Sequence, residues 1–128
     1  MIRLAALCVL GSLLLGAQEK KAADSNFVIV LARGPKWLAG KPVSEQPLRE
    51  HGRYLQGLME GGTLVLAGPF LDDSGGLILL KTTDEAEAQK IAHEDPAVRS
   101  GIMTPTVHPF KIVFDSATGT SPFKKPTP

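Results

Sequence analysis

The 128-residue sequence is 43% apolar and 21% charged, a globular balance in a chain short enough for one domain. Its formal net charge of +1 leaves no basic excess to release counterions from nucleic acid or to hold an anionic membrane surface, so neither is an expected partner. The only cysteine, Cys8, excludes an internal disulfide and a cysteine-based metal site.

Arg3, the uncharged run Leu4 to Leu15 and the small residues Gly16 and Ala17 have the layout of a secretory signal over residues 1–17. Cleavage is expected after Ala17, although Leu15 is a poor residue three positions before a cut. The run is shorter than the roughly 20 apolar residues that cross a bilayer, and an uncleaved anchor is the alternative. Cys8 follows Leu7 inside the run, which does not fit a lipoprotein. Cleavage removes Arg3 and Cys8, leaving 13 Lys plus Arg against 13 Asp plus Glu, no thiol, and no stable membrane insertion. The expected location is periplasmic or extracellular, with stability supplied by packing alone.

After a polar leader over 18–26, Phe27 to Ala32 is a continuous β-branched and apolar run, hence a buried strand. Gly34 to Pro47 holds three prolines and two glycines and reads as a loop, with Trp37 as a cover. A first helix is expected from Pro47 to about Glu60, capped by Ser44 or Gln46 and stopped by Gly61-Gly62. Thr63 to Phe70 is the second strand. The turn Leu71 to Gly76 sends the third, Leu77 to Lys81, back antiparallel as a hairpin. Asp84, Glu85 and Glu87 favour the first turn of a second helix ending near Glu94. A short turn over Pro96 to Ser100 ends at Gly101, and a last strand runs from Thr106 to Phe114, with Pro109 marking an edge or bulge. The domain thus covers 27–114, and the Ser/Thr/Pro/Lys-rich stretch 115–128 reads as a disordered tail.

The order β-α-β-β-α-β is that of an α+β, ferredoxin-like unit: a mainly antiparallel sheet with both helices on one face. A sheet with one wet face alternates apolar and polar residues, yet Phe27 to Ala32, Leu64 to Ala67 and Leu77 to Leu80 do not. Both faces want cover, and a second copy packed sheet to sheet is the simplest source, so a homodimer is expected.

Leu48, His51, Leu55, Leu58 and Met59 fall on one stripe of the first helix, which makes His51 its only ionisable member. Such a histidine is ordinarily a core side chain bonded to a backbone carbonyl. Ala88, Ile91 and Ala92 form the second stripe, and Asp95 continues it. Asp95 before Pro96 also has the form of a helix N-cap with proline at the first helical position. With both helices on one face, His51 and Asp95 can approach each other, and a carboxylate beside an imidazole fixes its tautomer for general acid or base work.

His93 falls on the polar side of its helix. His108 shares strand parity with Phe110, Ile112 and Phe114, facing a pocket if Pro109 keeps the register. Arg33, at the end of the first strand, could bind an anionic substrate or simply leave the core. Asp72 and Asp73 are turn residues. A metal held by His51, Asp95 and His108 has no short ligand spacing behind it, and no metal or cofactor is expected. Neither a phosphate-binding glycine loop nor a serine nucleophile elbow is present.

Several pieces in order are similar to the YCII-related (YciI-like) domain family over about Phe27 to Phe114: the early helix with His51, Gly61-Gly62-Thr63-Leu64, Ala67-Gly68-Pro69, Gly75-Gly76, Asp84-Glu85-Ala86, Asp95-Pro96 with Val98, Gly101, and Pro109-Phe110. The resemblance implies a dimeric α/β barrel and an active site built on a histidine and an aspartate, mapping onto His51 and Asp95. Relatives by fold act on small cyclic or aromatic acids. Arg33, Gly68, Pro69 and His108 complete the candidate set as substrate-binding residues. The export signal and the long loop with Trp37 depart from the family pattern and put a borrowed cytoplasmic substrate in doubt. Three functions are therefore open: an enzyme using His51 and Asp95 on a small organic acid, a small-molecule binding module, and a structural dimer.

Overall fold

The computed structural model describes residues 25–123, so the signal and nearly all of the polar leader lie outside the described residues. The elements are β1 (Ser25–Arg33), α1 (Arg49–Glu60), β2 (Leu64–Pro69), β3 (Gly75–Thr82), α2 (Glu85–Glu94), α3 (Pro96–Arg99) and β4 (Met103–Phe110). The strands form one antiparallel sheet in the order β2-β3-β1-β4, the ferredoxin-like arrangement expected from the sequence.

Register divides the sheet into two faces. Phe27, Ile29 and Leu31 of β1 pair with Leu80, Ile78 and Gly76 of β3, and with Pro109, Val107 and Pro105 of β4. The apolar side chains of this face join Ile91 and Ala92 of α2, Ala97 of α3 and the apolar side of α1 in a single core. The other face carries Val28, Val30, Leu77 and Leu79. β1 and β3 occupy the middle of the sheet and are apolar on both faces. A β-bulge between Leu64 and Leu66 shifts the pairing of edge strand β2.

Helix α1 starts at Arg49, later than Pro47, and its N-cap residue is Leu48 with no side-chain cap bond. Gln46 is engaged elsewhere. Its buried amide accepts from the Leu38 N–H (2.8 Å) and donates to the carbonyls of Leu38 and Lys41 (both 3.0 Å), which closes the long loop. A 3₁₀ turn, Val43–Glu45, precedes it. Met59 is half exposed, while Tyr54 packs against the core and donates its hydroxyl to the Ile91 carbonyl (2.9 Å), linking α1 to α2. The helix ends in a Schellman motif: Gly62, at φ +77°, donates to Met59, and Thr63 donates to Leu58. A side chain at Gly62 would strain that left-handed turn.

Helix α2 is capped by Asp84, whose carboxylate accepts from the Glu87 N–H (2.9 Å). Strand β4 begins before the expected Thr106 and ends at Phe110, short of Phe114. Two prolines fit inside it because β4 is an edge strand. Pro105 and Pro109 share parity, which turns both missing N–H groups away from β1. The stretch read as a disordered tail folds back as far as Phe123, through a bridge between Asp115 and Thr120 and a Phe114–Phe123 ring contact at 6.0 Å. Residues 124–128 are outside the described residues.

Candidate active site

The sequence places a histidine in the first turn of α1 and an aspartate at the junction of α2 and α3. Helix α3 packs beside α1, so the two meet. The His51 Nδ1 lies 2.9 and 2.8 Å from the two carboxylate oxygens of Asp95. Asp95 is almost wholly buried, and its Oδ1 also accepts from the Ala97 N–H at 2.9 Å, capping α3. One side chain thus performs both roles considered for it, cap and histidine partner. Burying a lone carboxylate costs several kcal/mol, and here the imidazole and the Ala97 amide offset that cost.

A carboxylate has acceptors only, so the hydrogen bond requires the proton on Nδ1. That leaves Nε2 with the free lone pair, and among the described residues it has no hydrogen-bond partner. His51 is therefore tautomerically fixed and chemically unspent. It lines a cavity of about 320 Å³ walled by Leu31, Val43, Leu48, Leu55, Ile78 and Met103, and among the described residues it is the only ionisable group there. The volume is at the small end of ligand pockets, suited to a single-ring molecule. Of the candidate binding residues, Gly68 and Pro69 line this cavity from β2, with Gly75 and Gly76 opposite in β3. A side chain at Gly76 would bring its Cβ within 2.9 Å of the Gly68 carbonyl, so bare backbone forms this wall.

Arg33 and His108 lie elsewhere. His108 pairs with Val28, on the face opposite the His51 cavity, because strand parity puts it with Thr106 and Phe110 rather than with Val107. Arg33 stands at the end of β1 beside Trp37 and Asp73 in a separate cavity. No group of three or more His, Cys, Asp or Glu side chains placed to hold a metal occurs among the described residues. Sequence reasoning placed Leu48 beside His51 but missed the wall Val43, and it read Asp73 only as a turn residue, whereas its carboxylate accepts from the Val43 N–H at 2.9 Å and positions the loop. The Asp-Asp pair in a turn was their only available signal.

This pairing of sheet, histidine and buried aspartate coincides with a match to the YCII-related domain over residues 25–111. The chain belongs to the YCII-related domain family. The uncharacterised protein YjpA of Bacillus subtilis (strain 168) is 30% identical over 69 residues, spanning 54% of this chain and 81% of YjpA. Among solved structures, 5-chloro-2-hydroxyhydroquinone dehydrochlorinase (TftG) from Burkholderia phenoliruptrix, in complex with 2,5-dihydroxybenzoquinone, aligns with a TM-score of 0.49 at 20% identity, over 67% of this chain and 93% of that one. Within this YCII-related domain the helices shield one titratable side chain besides the pair. Burial, followed by the carboxylates of Glu94, Asp95 and Glu87, pushes the Tyr54 phenol up to about 12.

That shift predicts a stability change at high pH. The folded phenol holds its proton more tightly than the unfolded one, whose pKa is about 10. Its contribution is complete below about pH 10 and is lost as pH rises towards about 12. Tyr54 is the only tyrosine, so an ultraviolet titration of phenolate reads it directly. The midpoint should lie well above 10 in the folded chain. A midpoint near 10 before unfolding would show that burial does not act on the phenol.

Proposed function

We propose that this YCII-related protein is an enzyme that moves a proton on a small organic acid, with His51 Nε2 as the acid or base and Asp95 as its positioning partner. The observation that carries this is the buried carboxylate on Nδ1 combined with a free Nε2 lone pair at an apolar cavity. A satisfied structural histidine needs no such cavity. The same proposal has the chain acting as an exported homodimer. Support for the dimer is the second sheet face, where Val28, Val30, Leu77 and Leu79 of the central strands lie beside Leu66, Val65 and Phe110, each about half exposed.

The test is a screen of small organic acids with native protein and His51→Gln, both taken from the exported fraction after confirming an N-terminus at Gln18. Gln can still donate to Asp95, so the fold is kept. At least one acid should be converted by the native protein and about 100-fold more slowly by the variant. Saturable binding without conversion would support the alternative, a binding module using the same cavity. Equal conversion by both proteins would remove His51 from the chemistry.

A further inference from the structure

The loop Gly34–Pro47 builds a second cavity, of about 290 Å³, beside the first, lined by Arg33, Trp37, Gly40, Lys41, Pro42 and Asp73. Its chemistry is unlike that of the His51 cavity. The Arg33 guanidinium lies 5.4 Å from the centroid of the Trp37 ring, and its Nε donates to the Asp73 carbonyl at 2.7 Å. An arginine that merely ends a strand is free to swing in water. This one is held by a ring on its face and a carbonyl at its Nε, while its two terminal nitrogens form no ion pair among the described residues. Lys41 adds a second cation to the same lining, tied only by an exposed pair with Glu45 at 3.0 Å. The Asp73 carboxylate is part of the same lining, with its Oδ1 accepting from the Val43 N–H at 2.9 Å, so two cations face one anion there.

A planar, pre-oriented guanidinium with an open edge matches a carboxylate, which it holds with two parallel hydrogen bonds. Its position ties it to the first cavity. Arg33 lies two residues beyond Leu31 on the same strand face, about 6.6 Å further along β1. It pairs directly with Met103 of β4. Leu31, Met103 and Val43 all line the His51 cavity, and Val43 follows Pro42 and is bonded to Asp73, two residues of the second cavity's lining.

We propose that Arg33, braced by Trp37 and Asp73, is the carboxylate subsite of the His51 pocket. A ligand would place its apolar body against Leu31 and Met103 and its carboxylate on the guanidinium. This rests on the functional reading above and adds to it the selection rule: an acid is bound and its neutral counterpart is not. The loop Gly34–Pro47 then has a purpose, since it supplies Trp37, Lys41 and Val43 together.

Trp37 is the only tryptophan, so its fluorescence reports on the site. Native protein is titrated with benzoate and cyclohexanecarboxylate, and with the corresponding neutral amides. Each acid should bind saturably and at least about 10-fold more tightly than its amide, as expected for a charge-assisted pair. Arg33→Gln should abolish that preference, and Arg33→Lys should restore part of it. If neither acid exceeds its amide with native protein, the proposal is overturned without recourse to any variant. An acid preference that survives in a folded Arg33→Gln protein overturns it as well. Failure of the functional reading looks different: acids would bind through Arg33, yet no compound would be converted in a His51-dependent way.

Discussion

Asp95→Asn is expected to lower turnover of the converted acid by about 10³-fold or more while leaving the protein folded. The asparagine carbonyl can occupy the place of Oδ1 and still accept from the Ala97 N–H, so α3 keeps its cap. The other carboxylate oxygen, 2.8 Å from Nδ1, becomes an NH₂ donor facing an N–H donor, while Oδ1, 2.9 Å from Nδ1, is shared with the Ala97 N–H. The imidazole escapes by moving its proton to Nε2, and the lone pair then lies on the buried nitrogen instead of at the cavity. Imidazole nitrogen chemical shifts distinguish the two tautomers. The native protein should show His51 protonated on Nδ1, and the variant should show it on Nε2. Asp95→Ala separates the structural role. It removes both the cap, worth about 1 kcal/mol, and a charge-assisted bond, worth about 1.5–3 kcal/mol, so urea denaturation should show a loss of roughly 3 kcal/mol. A purely structural Asp95 would give the alanine result with no change of tautomer and no loss of turnover in the asparagine variant.

Leu66→Asp is expected to turn the proposed homodimer into a monomer. Leu66 is about half exposed on β2, beside Leu79 on the face away from the helices. A carboxylate there would be stripped of water without a counter-ion when this apolar face packs on a second copy. Truncating a central apolar anchor typically costs 2 kcal/mol or more, and a charge in its place should weaken association by roughly 100-fold or more. Sedimentation at micromolar concentration should show the native chain at twice the variant's mass. Leu71, fully exposed in the β2–β3 turn, is the control, and Leu71→Asp should leave the mass unchanged. A monomeric native protein would refute the dimer and leave the apolar face needing another partner. Because Leu66 lies outside the His51 cavity lining, the monomer should keep the His51–Asp95 bond.

By itself the sequence determined the elements and their order. The run Phe27 to Ala32, the Gly61-Gly62 stop, the Asp-rich turn before Gly75 and the acidic start of α2 are local signals, each set by residues within a few positions of one another, and they fix βαββαβ. The closing strand was less legible because Pro105 and Pro109 look like breakers until an edge position leaves their missing N–H groups unneeded. His51 and Asp95 were legible as polar members of apolar stripes. Their meeting was decided only by tertiary structure, since it depends on α3 packing beside α1 across a separation of 44 residues. The same holds for Gln46, whose amide closes a loop rather than capping a helix, and for Asp73, which joins a turn to a loop 30 residues away. His108 was turned away from the His51 cavity by strand parity, and Arg33 was set in the neighbouring cavity by where β1 ends, which are properties of register. Composition and local pattern specify which segments become helix or strand. The chemistry of the site depends on long-range juxtaposition, and that exists only once the sheet has closed.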